Sequence, residues 1–307
     1  TGDFTDDDVL ISNNRSLTLR TRNTVGDGAG TIDLTSSVDS ANLEFRTQGT
    51  GTITIEGSTD GGAVSDITLG RLTTANQNIT ISTGNGSVTV SGAVDAGTAI
   101  VSVTAPNAIT FNQNVDAGTI TAQSGTDGSG NLSFGAGVQL DADTQALHAG
   151  DSTGGGGTTA EADLITNTPN FRDTVGAAEP TTFTHRQDGD VADADIAAVS
   201  QFGGTPPTMY TIQSDDGDIT VATAAKVDGI ALTLTAANNV VISENIGAGT
   251  ALASLSATAT TISLQDVTSD DASGIGDQSY FAITTTFNSD YDTGGGNFMV
   301  TGNTVLA

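Results

Sequence analysis

The 307-residue chain has no cysteine and no tryptophan, and its eight basic residues face 36 acidic ones. Without cysteine there is no disulfide framework and no thiolate metal ligand. That absence suits secreted bacterial surface proteins and many cytosolic ones alike. A formal charge of -28 leaves no basic patch to displace counterions from phosphates, so nucleic-acid binding is excluded. The same charge disfavours an anionic membrane surface. No run of about eighteen apolar residues occurs, and membrane insertion by a helix is not expected. Residues 1–10, TGDFTDDDVL, lack the basic start and apolar stretch of a signal peptide, the expectation for a mature or excised segment.

Alanine, glycine, threonine, serine and aspartate dominate what is present. Few aromatics and strong self-repulsion are also features of disordered chains. The apolar residues, however, alternate with Thr and Ser in short runs: Ile79-Thr-Ile81-Ser, Val88-Thr-Val90-Ser, Leu232-Thr-Leu234-Thr. That period of two marks strands with one buried face.

The runs also recur. GAGTIDL from Gly28 is followed by GTGTITI from Gly49, and LTLRT from Leu17 by LEFRT from Leu43. Ile11, Ile32 and Ile53 then share a register, as do Gly28, Gly49 and Gly70, and the two VDAG phrases begin at Val94 and Val115, all about 21 residues apart. Ile219, Val240, Ile262 and Ile283 keep the spacing in the second half. The phrases TAPNAITFNQNVDAG (Thr104 to Gly118) and TAANNVVISENIGAG (Thr235 to Gly249) read as equivalent rungs, with Val103, Ile109, Phe111 and Val115 inside. A 21-residue unit of two or three strands is too short to bury a core alone and becomes stable by stacking. The expected fold is all-β: a right-handed parallel β-helix or β-solenoid with about 21-residue coils, forming one elongated domain over 1–307. At that period the chain would supply about 14 to 15 coils, a rod of roughly 70 Å. An antiparallel sandwich is the competitor, but it needs no apolar positions locked at this spacing.

From 141 to 215 the register is lost. This region holds four of the five prolines, the run Gly154 to Gly157 and both histidines, His148 and His185, and reads as an irregular insertion or protruding loop. Within it Asp193 to Gly204 is expected to form a short helix, with Asp193 as N-cap and Gly203 as its stop. Aromatics gather between Tyr280 and Phe298, and neither terminus offers an evident polar cap. Head-to-tail continuation follows as an expectation, by other copies or by flanking repeats of the same polypeptide, through Phe4, Ile11, Phe298, Val300, Val305 and Leu306. Joining the ends on paper puts Phe298 about one coil before the next Ile11.

Motifs for chemistry are sparse. Lys226, the only lysine, follows alanine, so there is no Walker A phrase, and neither a G-x-S-x-G elbow nor an H-E-x-x-H helix occurs. The chain is expected not to be an enzyme and to need no cofactor, with calcium the one chemical candidate. DGDVADAD offers hard oxygen ligands at Asp188, Asp190, Asp193 and Asp195 but lacks the closing glutamate of an EF-hand loop; the preferred reading of these carboxylates is solvated turns that keep the rod soluble.

The phrases VDAGTAIVSVTAPNAITFNQNVDAG (94–118) and NIGAGTALASLSATATTISLQDVTS (245–269), with GDQSYFAITTTF (276–287), resemble the repeats of giant bacterial surface proteins. They are similar to filamentous haemagglutinin, its two-partner-secretion relatives and autotransporter passengers. The resemblance covers roughly 75–140 and 215–307 and is one of repeat style. It implies secretion, a parallel β-helical shaft and a role in adhesion, biofilm matrix or surface fibres, and it transfers no catalytic residues. The expected function is thus a structural segment of an extracellular adhesin or cell-surface filament, with glycans or surfaces as further partners. The alternative is a carbohydrate-binding or carbohydrate-cleaving β-helix whose groove is bordered by 141–215.

Overall fold

The computed structural model describes residues 9–20, 32–34, 44–57, 64–126, 130–150, 164–165, 170–172, 182–199, 207–222, 227, 229–270 and 276–307. Short strands dominate, every strand pair is parallel, and the one helix among the described residues is Asp193–Val199. The chain winds through three faces in turn. Val94–Asp95 lies on the first, Ile100–Thr104 on the second and Ile109–Phe111 on the third, and the next coil repeats the order with Val115–Asp116, Thr119–Ser124 and Leu132–Phe134. Each strand hydrogen-bonds to its counterpart one coil away, so a coil too small to bury a core completes the ladder of its neighbour. The β-solenoid expected from the spacing is the observed fold.

The second face is the longest. Eleven strands stack on it from Leu17–Arg20 to Asp277–Phe287, and Phe298–Leu306 is the twelfth. At about 4.8 Å per strand this is roughly 50 Å of stack. The rod is shorter than the expected 70 Å because many coils exceed 21 residues. Asp277–Phe287 runs across two faces without a break, pairing with Ser254–Thr258 through its first half and with Thr261–Leu264 through its second. The two faces thereby merge into one fifteen-stranded sheet.

Alternation within each strand sets inside from outside. On the second face Ile55, Ile81, Val103, Ala122, Leu147, His185, Ile212 and Leu234 form one inward column. On the third, Phe111 stacks on Phe134 with ring centroids 5.5 Å apart. Threonine and serine face outward between them and supply β-propensity without apolar exposure. Buried hydroxyls close several corners: Thr74 Oγ1 donates to the Gln77 carbonyl at 2.5 Å and Ser124 Oγ to the Gly130 carbonyl at 2.7 Å.

The register expectations divide cleanly. Val94 pairs with Val115, Ile219 with Val240 and Val240 with Ile262. Ile109, Phe111 and Val115 of the first long phrase are buried in the same way as Val240, Ile242 and Ile246 of the second. Ile262, however, pairs with Thr285, while Ile283 is 68% exposed at the irregularity between Phe281 and Thr284. Near the start the 21-residue register is wrong. Ile11 pairs with Thr47, Ile32 with Ile67, and Ile53 with Leu17 and Ile79, so the three isoleucines lie on three different faces. The first coil spans 36 positions, as the bond from Thr50 N–H to Asn14 Oδ1 shows. LTLR therefore stacks on ITIE of residues 53–56, and EFRT lies on another face. Gly49 and Gly70 sit at different corners, and Gly28 lies outside the described residues.

The stack also runs through 141–215. Thr144–Ala149 pairs with Thr182–Gln187, which pairs with Met209–Ser214, each in unbroken register. The extra residues lengthen the coils between these strands and do not interrupt the sheet. The helix begins at Asp193 as expected, but the capping contact differs. Asp195 Oδ2 accepts from Ala192 N–H at 3.0 Å, while Asp193 Oδ1 accepts from Ala222 N–H of the next coil at 2.6 Å. Gly203 lies outside the described residues.

Candidate functional site

The outward side chains of the second face form two rows along the rod. One is almost wholly hydroxyl: Thr54, Thr80, Ser102 and Thr121, then Ala146, then Thr184, Thr211 and Thr233. The other reads Ser82, Thr104, Gln123, His148, Arg186, Gln213, Thr235. Where Ala146 replaces a hydroxyl-bearing side chain the surface hollows into a groove of about 340 Å³. Its lining includes Ser102, Thr104, Thr121, Gln123, His148 and Arg186.

A polar cluster closes one end of this groove. Arg186 Nε lies 2.8 Å from Asp215 Oδ2 and 3.1 Å from Oδ1, and its Nη2 donates to Oδ1 at 3.0 Å. Gln213 Nε2 adds a bond to Oδ1 at 2.7 Å. His148 Nε2 stands 3.4 Å from Asp215 Oδ2, too long for a normal hydrogen bond. Burial pushes the Asp215 carboxyl up, but the nearby His148 imidazole and the bonds from Arg186 and Gln213 outweigh it and hold the group below the ordinary carboxylate range. Asp188 is the third anchor: one ligand atom each from His148, Asp188 and Asp215 all fall within 4.8 Å of one another.

Of the calcium candidates, only Asp188 belongs to this cluster. Asp190 Oδ1 accepts from Asp218 N–H at 2.8 Å, and Asp193 and Asp195 accept the backbone bonds already described. These three carboxylates act as corner and cap acceptors at separate places. The association residues are scattered as well. Phe4 lies outside the described residues. Phe298 stands in the inward column of the second face, whose first-coil member is Leu17, whereas Ile11 is on the first face. The paper join at Ile11 therefore links different faces. Val300 packs on the core, and Val305 and Leu306 are exposed.

A second buried histidine lies one position before Arg186 and points inward. His185 Nε2 is 3.0 Å from Gln187 Oε1. Burial drives its pKa down, opposed in part by Gln187 and the charge of Asp195. It belongs to the core and not to the groove. Sequence reasoning noted both histidines but missed the cluster, because His148, Asp188 and Asp215 meet only when coils of unequal length stack.

No family model matches the chain, and no curated protein or solved structure resembles it significantly. The solenoid fold and this cluster are therefore what a functional assignment has to rest on.

Proposed function

We propose that the chain is a non-enzymatic structural segment of an extracellular bacterial adhesin or surface filament, whose task is to span distance and to continue into further coils. One observation carries the reading: the unbroken parallel stack on the second face, from Leu17–Arg20 to Phe298–Leu306. Such a stack resists bending because each rung is hydrogen-bonded along its length to the next. Its outer edge at Phe298–Leu306 has no further strand among the described residues and exposes Met299 and Leu306. A strand edge with apolar side chains is a template for another rung. The strong negative charge would keep such rods apart laterally while the ends meet. Electron microscopy of the purified chain tests the proposal: end-to-end fibres that vanish when Val300→Pro removes an outward-facing N–H of the edge support it, and monodisperse single particles at all concentrations overturn it.

The groove favours a second reading, a glycan-binding β-helix. Its hydroxyl, amide and imidazole lining suits the polar face of a sugar chain better than an apolar ligand. Retention on immobilised polysaccharides, with product release assayed in parallel, separates binding from cleavage and both from the purely structural role.

A further inference from the structure

We infer that His148, Asp188 and Asp215 form a binding site for one divalent transition-metal ion, with an open coordination position facing the groove. The donor set is an imidazole and two carboxylates, a combination suited to zinc and its first-row neighbours and unlike the all-oxygen sets of calcium. Each side chain comes from a different coil: His148 stands mid-way along an outward row, near the end of Thr144–Ala149, and Asp188 and Asp215 occupy the corners that follow the next two strands. The side chains of His148 and Asp215 are 13% and 6% exposed, and Asp188 as a residue is 8% exposed. The three are therefore not a solvated acidic surface. His148 Nε2 is buried and makes no hydrogen bond, and its nearest carboxylate oxygen is that of Asp215 at 3.4 Å. Donors held at about 2.0–2.2 Å around one tetrahedral ion lie roughly 3.3–3.6 Å apart, so the observed pair already has this spacing.

Two further features fit the assignment. Gly150, at φ +106°, carries no side chain at the point where a Cβ would lie 2.3 Å from the Asp188 carboxyl carbon, so the backbone leaves room for that carboxylate beside His148. Arg186 and Gln213 both bind Asp215 Oδ1, and Arg186 Nε also bonds Oδ2, the oxygen nearest His148. Ligating carboxylates are commonly oriented by such outer donors. Three protein ligands leave a fourth position, and the groove that His148 and Arg186 line gives it access to solvent and to a hydroxyl- or carboxylate-bearing ligand. The site would add a chemical function to the shaft and is independent of whether the rods join.

Isothermal titration of the intact chain with zinc chloride at neutral pH tests the inference, with cobalt(II) absorption as a second readout. The expected result is one saturable zinc site per chain and visible cobalt bands of a low-coordinate complex. The variant His148→Gln should weaken zinc at least tenfold and abolish the bands. It should fold, because Gln123 and Gln213 already occupy the same outward row, and circular dichroism checks that it does. Asp270→Asn, an exposed carboxylate elsewhere, should leave zinc affinity unchanged. Absence of saturable zinc binding, or equal binding by folded His148→Gln, overturns the site.

Discussion

Phe111 and Phe134 lie one coil apart with their rings nearly parallel, 7° between planes and 5.5 Å between centroids, both fully inside the rod. They are directly paired residues of adjacent parallel strands, so the stack of rings follows the stack of backbones. Truncating one ring leaves a cavity that the hydrogen-bonded rungs above and below cannot collapse into. Phe111→Ala should therefore cost about 3–5 kcal/mol, read as a lowered urea midpoint. Phe111→Leu, which keeps most of the volume, should cost much less. Equal losses for the two variants would show that the site relaxes freely.

Corners depend on a different device. Gly97 has φ +56°, and a Cβ there would lie 2.0 Å from Asn76 Oδ1, the atom that accepts from Thr98 N–H at 3.1 Å. The same arrangement recurs where Asn14 Oδ1 accepts from Thr50 N–H beside Gly49, at φ +65°. Substituting Gly97→Ala both strains the backbone and displaces an acceptor of the ladder. A loss of about 1–3 kcal/mol is expected by thermal or urea unfolding, whereas Gly137→Ala, also at positive φ but with nothing near its Cβ, should stay at the low end of that range.

His185 predicts a pH dependence. Its folded pKa is depressed by burial, so below about pH 6.5 the unfolded chain takes up a proton that the folded chain refuses. Stability should be insensitive to this group above that pH and should fall as pH drops from there toward the folded value. The column neighbours of His185 are Leu147 and Ile212, which makes His185→Leu a compatible replacement. The variant's urea midpoint should decline less between pH 7 and pH 5 than that of the native chain. Identical declines would mean that the imidazole is protonated without penalty.

These tests rest on features of unequal legibility in the sequence. Alternation in ITIS, VTV and LTLT was enough to give strands with one buried face, and the two VDAG phrases fixed a true coil length because Val94 and Val115 are paired residues. Ile11, Ile32 and Ile53 misled because equal spacing also arises when successive residues land on different faces of coils with unequal lengths. Apolar inward positions look alike on all three faces, so local pattern cannot assign a strand to its face. The groove cluster was hidden for the same reason: nothing in the spacing of His148, Asp188 and Asp215 states that three coils of different length bring them together.

Asp215 and Arg186 make that cluster testable through stability as well as through metal. The guanidinium reaches both carboxylate oxygens, and the Asp215 side chain is 6% exposed against 25% for Arg186. Removing the carboxylate charge would leave a mostly buried guanidinium without its fork partner, a change that costs more than the pair itself contributes. Asp215→Asn should thus destabilise by about 2–3 kcal/mol, below the cost at a fully dry site because Arg186 retains some solvent. The folded pKa of Asp215 is depressed, so its contribution is complete above the ordinary carboxylate value of about 3.9 and is lost as pH falls through the folded pKa. Native chain and Asp215→Asn should consequently differ most in urea midpoint at neutral pH and converge in strong acid. A difference that persists unchanged at pH 2 would assign the effect to packing and not to the charge.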